Sequence, residues 1–80
     1  MDITEEIFKN KRYRKLVDQL SNETLELVAN DHLRALKEAH RGIQKEEPYK
    51  INDLEYLEAL SNEMQKMARI ILGERAKRIY

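Results

Sequence analysis

Leu57, Leu60, Met64, Met67 and Ile71 recur at spacings of 3, 4, 3 and 4 residues, and nothing else in the chain restricts its fold so tightly. Apolar residues at that period line one side of an α-helix and cannot alternate across a strand. The start of the stripe is marked as well. Asn52 is a good N-cap, because its side-chain oxygen can accept an otherwise orphaned amide proton. Glu55, three residues on, completes a capping box, and Ile51 and Tyr56 stand at the hydrophobic-staple positions. The pattern predicts a long helix over residues 52–78. Gly73 interrupts it at a cost of about 1 kcal/mol relative to Ala, marking a bend, a close helix contact or the start of a fraying tail.

The rest of the chain points the same way. Hydrophobic residues make up 41% and charged residues 38%, with 2 Gly and 1 Pro, too few turn formers for many short strands. Aromatic residues are 6%, so the core must be mostly aliphatic and Met. We expect an all-α fold, a single domain over residues 1–80. A core of this size leaves little margin, which favours docking against a second copy or a larger partner. With 0 Cys, neither a disulfide framework nor a thiolate metal site is available. The opening Met1-Asp2-Ile3-Thr4-Glu5-Glu6 is acidic where a signal peptide would be basic. No apolar run approaches the roughly 20 residues of a membrane span. These features predict a soluble, cytoplasmic protein that does not contact a membrane.

Taken in order, Ile3, Ile7 and Phe8 share one helical face, whereas Tyr13, Leu16, Val17 and Leu20 share another about half a turn away. A break near Lys9-Asn10-Lys11 follows, separating a short N-terminal helical arm (residues 2–9) from a helix over 11–20. Ser21 can cap a second main helix over about residues 22–41, with Glu23 in its first turn. Leu25, Val28, Ala29, His32, Leu36, Ala39 and Ile43 form its stripe, with Leu33 and Ala35 at the flanks. Gly42 is placed as the C′ residue that ends it. Residues 43–51 read as the main loop, with Pro48 disfavouring helix at Glu47 and with Tyr49 and Ile51 tucking back. The expectation is a small bundle of three main helices plus the arm, its short connections favouring antiparallel neighbours.

Reactive chemistry finds little support. His32 and His40 stand about 80° apart around the helix, and no Glu-x-x-His pattern accompanies them, so a metal site is not expected. His32 reads instead as a partly buried, hydrogen-bonded residue in an Ala- and Leu-lined seam. The hydroxyls of Ser21, Ser61, Thr4 and Thr24 lack a glycine elbow, and two isolated glycines cannot build a phosphate loop. We expect no enzyme, no cofactor and no small-molecule substrate.

Charge is distributed unevenly although the net is zero. Lys9, Lys11, Arg12, Arg14 and Lys15 enclose Tyr13 with no acid among them. Arg69, Arg75, Lys77 and Arg78 outnumber Glu74 at the other end, while residues 46–63 carry six acids and one lysine. The basic cluster, extended by Arg75, Lys77 and Arg78, is the candidate surface for a protein partner, a second copy or nucleic acid. Runs of charge are usually solvated helix faces, so that simpler reading stands beside it. Leu57, Leu60, Met64, Met67 and Ile71 are helix-packing or interface residues. They span little more than two heptads, which favours a seam within the bundle over a coiled-coil dimer. The function expected is a non-catalytic interaction module that self-associates or docks into a larger assembly, such as one acting on nucleic acid. The alternative is a small DNA- or RNA-binding regulator.

Leu20-Ser21-Asn22-Glu23-Thr24-Leu25, a following helix and an acidic loop precede Leu54-Glu55-Tyr56-Leu57-x-x-Leu60 and Arg69-Ile70-Ile71-Leu72-x-x-Arg75-x-Lys77-x-Ile79. Across residues 16–79 this succession resembles the helical A domain of archaeal GINS subunits. Those subunits sit in the replicative helicase assembly. The resemblance implies a helical fold used for contacts with other proteins and no catalysis. Two departures accompany it: a second domain is absent from these 80 residues, and the loop between helices is short. No functional residue is carried over.

Overall fold

A computed structural model of the chain describes the backbone of residues 11–79 and the side chains of residues 13–77. The arm expected over residues 2–9 lies outside the described residues. Among them there is no strand. The elements are α1 (Lys11–Asp18), α2 (Asn22–Asn30), α3 (His32–Glu46), a 3-10 turn (Pro48–Lys50) and α4 (Leu54–Ile79). The all-α bundle is therefore the fold.

The starts of α2, α3 and α4 have a side-chain cause. Ser21 caps α2 as expected, its hydroxyl accepting from the Thr24 amide at 3.2 Å. The expected helix over 22–41 divides at Asp31. Its backbone N–H closes α2 on the Leu27 carbonyl at 2.8 Å. Its carboxylate then caps α3, accepting from the amides of Leu33 and Arg34 at 3.0 and 3.4 Å. The apolar phase carries through the break, since Val28 and Ala35 are both buried seven residues apart, which is why periodicity alone runs across it.

Gly42 does not end the helix. No glycine among the described residues has a positive φ, and α3 continues to Glu46. Gly42 serves instead as a contact point: a Cβ there would lie 3.3 Å from Met64 Cε and 3.4 Å from Leu16 Cδ1 and Tyr13 Cε1. The start of α4 is shifted by one residue. Asp53, not Asn52, caps it, its carboxylate accepting from the Tyr56 amide at 3.0 Å. Gly73 does not end α4 and has open space where a side chain would go.

The long helix packs against α1, α2 and α3. Leu60, Met64, Met67 and Ile71 are buried along its length, and Leu57 is half-buried at the edge of the same core. The stripe is thus a seam within the chain. Opposite it stand Tyr13 and Val17 of α1, Leu25, Val28 and Ala29 of α2, and Ala35, Ala39 and Ile43 of α3. Two residues move from their expected places. His32 is exposed, because α3 begins there and its first residue points to solvent. Tyr49 is 79% exposed rather than tucked onto the bundle, whereas Ile51 does pack against the core.

Candidate functional site

The two basic ends do meet. Arg14 of α1 donates to the Glu74 carboxylate of α4 at 3.2 Å and lies 3.4 Å from Asp18. Arg75 reaches across to α1 and α2, donating to the carbonyls of Asp18 and Leu20 at 2.8 and 2.9 Å and to Asn22 Oδ1 at 2.7 Å. A guanidinium satisfying the last carbonyls of a helix is a C-terminal cap that also suits the helix dipole. Arg69 does the same for α2, donating to the Ala29 carbonyl at 3.0 Å, beside Gln65 on Val28 at 3.2 Å.

The other members of the predicted patch divide. Tyr13 is completely buried, so it is a core residue and offers no ring to a partner. Lys15 and Lys77 are exposed. Lys9 lies outside the described residues, as do the side chains of Lys11, Arg12 and Arg78.

At the opposite end, Glu47 forms a hub that sequence reasoning missed. It is the C-cap of α3, immediately before Pro48, and its N–H returns to the Ile43 carbonyl at 2.8 Å. Its Oε2 accepts from the hydroxyls of Tyr13 and Tyr56 at 2.7 and 2.6 Å. Its Oε1 accepts from Tyr49 at 3.2 Å and lies 3.6 Å from Lys50 Nζ. That ammonium also sits 4.2 Å from the centre of the Tyr56 ring. Burial alone pushes the Glu47 carboxyl upward, but the hydroxyls of Tyr56 and Tyr13 and the Lys50 charge outweigh it and hold the carboxyl below its usual range. Burial first, then the bond to Glu47, pushes Tyr56 up to about 12, and burial with the bonds to Tyr56 and Glu47 raises Tyr13 further. An ionised carboxylate with its oxygens occupied is neither an acid nor a free base. Its role is to tie α1, the turn and α4 to the end of α3. The available signal was aromatic chemistry: 4 of the 5 aromatic residues are Tyr, and buried hydroxyls need acceptors.

The open surface lies elsewhere. A groove between α3 and α4 is lined by Asp31, Leu33, Arg34, Leu36, Lys37, His40 and Leu57. Leu33 is 73% exposed, and Leu54, one turn before Leu57 on α4, is 76% exposed. No group of three or more potential metal ligands occurs among the described residues.

No family model, curated protein or solved structure matches this chain. The surface must be read on its own chemistry. Neither the hub nor the arginine clamp presents a reactive group, whereas the groove presents apolar side chains to solvent.

Proposed function

We propose that the chain is a non-catalytic helical protein-interaction module, working in the cytoplasm, that docks through the α3–α4 groove by self-association or within a larger assembly. The observation carrying this reading is the exposure of Leu33 and Leu54 beside half-buried Leu36 and Leu57. Leu33, Leu36 and Leu57 line the groove among polar side chains, and apolar side chains with a polar rim are a usual mark of a binding face. No helix among the described residues is long and apolar enough to cross a membrane, so these side chains are not explained as part of a spanning segment. The resemblance to GINS A domains agrees in kind, since those domains serve protein contacts; by that analogy the larger assembly would act on nucleic acid. A regulator binding DNA or RNA through the basic ends has less to draw on, because Tyr13 is buried and Arg14 and Arg75 are engaged within the fold.

The test is a photo-crosslinking residue placed at Leu33 or Leu54 in the cells that make the protein, with exposed Glu26 on α2 as control position. The reading expects a discrete protein adduct from positions 33 and 54 and none from 26. No adduct, or equal labelling at all three, overturns it.

A further inference from the structure

We infer that the occupant of the α3–α4 groove is a second copy of this chain, an inference that rests on the docking reading above. The two helices bordering the groove carry the same short pattern with opposite charge. On α3 it is Leu33-Arg34-x-Leu36-Lys37, and on α4 it is Leu54-Glu55-x-Leu57-Glu58. In each, two leucines three residues apart stand on one helical face, each followed at once by a charged residue.

The sign difference extends beyond the motifs. From His32 to Lys45 the sole acid is Glu38, which is buried and lies 3.5 Å from Arg34 and 3.6 Å from Arg41. Between Asp31 and Glu46, the acids at its two ends, the solvent side of α3 is therefore cationic. From Asp53 to Glu63 there is no cation, so the adjoining part of α4 is anionic. Lys37, Glu55 and Glu58 are exposed and form no ion pair among the described residues.

A face with one cationic and one anionic half, divided by leucines, is complementary to itself. In a two-fold dimer every contact occurs twice, so laying α3 of one protomer on α4 of the other pairs cations with carboxylates on both sides. The same operation covers Leu33 and Leu54 of both copies. An unrelated partner would have to supply this alternation, and a second copy already has it. The strip is small, which places the dimer among weak, micromolar interfaces sensitive to salt.

Sedimentation equilibrium of the full chain from about 5 to 200 µM tests this, with circular dichroism confirming that each variant folds. The wild type is expected to follow a monomer–dimer equilibrium. Leu33→Gln should abolish the dimer, and Lys37→Glu and Glu58→Lys should each weaken it about tenfold. The double variant, with the pair exchanged, should return close to wild-type affinity. A monomer throughout this range overturns the inference, as does a dimer indifferent to all three positions or a double variant no better than its parents. A monomer whose crosslinker at position 33 captures a different protein ends self-association while sparing the docking reading. A monomer with no adduct ends both.

Discussion

The two ends of the bundle are closed by opposite charges used in the same way. At one end a carboxylate, Glu47, gathers the hydroxyls of Tyr13, Tyr49 and Tyr56. At the other a guanidinium, Arg75, gathers the carbonyls of Asp18 and Leu20 and the amide oxygen of Asn22. The difference lies in water. The hydroxyls of Tyr13 and Tyr56 converge on Glu47 from the core, whereas Arg75 works at a part-exposed edge where water can replace it. A charge that looks available for binding in the sequence can thus be committed to fastening helices together. Neither end makes use of the groove between α3 and α4.

The contrast is open to several breaks. The largest effect should come from Glu47→Ala, which leaves two buried phenol hydroxyls without their acceptor. Each unsatisfied buried group costs about 1–3 kcal/mol, so urea unfolding should show a loss of about 3 kcal/mol. That is a large part of what a domain this small has to lose. A loss below about 1 kcal/mol would mean that the hub is ornamental. Arg75→Ala should cost less, about 1–2 kcal/mol, because water can reach the freed carbonyls. Arg75→Lys should recover little of it, since an ammonium lacks the planar fork that reaches three acceptors.

The same contrast predicts a pH dependence. Glu47 titrates below its ordinary value of 4.5, so its contribution is fully present above that value. It is lost as pH falls below 4.5 through the lower folded value. In Glu47→Gln this part of the acid slope should disappear from stability curves measured between pH 6 and 3, pH limits chosen to bracket about 4.5. At the alkaline side the raised Tyr56 contributes stability that fades as pH climbs from 10 towards about 12.

The smallest effects separate the two glycines. Gly73→Ala adds a methyl into open space on a helix and should stabilise by about 1 kcal/mol. Gly42→Ala gains the same propensity but presses its methyl against Met64, Leu16 and the Tyr13 ring. Met64 and Leu16 can yield at their flexible ends, whereas the ring is held by its bond to Glu47. We therefore expect Gly42→Ala to show no gain in thermal unfolding, and equal gains at both positions would show the contact to be slack.

These residues also show what could be read from the sequence. The helical class and the buried stripe from Leu60 to Ile71 were legible, because apolar spacing reports directly which face is covered. The break at Asp31 was not, because capping depends on one side chain while the apolar phase continues past it. Gly42 was misplaced for a related reason: glycine serves equally to end a helix or to let neighbours close on it, and only tertiary contacts choose. At the ends, the sequence showed five cations between Lys9 and Lys15 but not that Tyr13 turns inward or that Arg14 faces Glu74. Pairings across 34 or 60 residues, as for Tyr13 with Glu47 and Arg14 with Glu74, leave no local periodicity to read.

The central claim is that the ends are structural and the α3–α4 groove is the working face. Leucine-methyl NMR spectra of the full chain across a dilution series test it most directly. Leu33, Leu36, Leu54 and Leu57 should shift with concentration while Leu16, Leu20 and Leu72 stay fixed. Shifts confined to Leu16, Leu20 and Leu72, or no shift at any concentration, would contradict it.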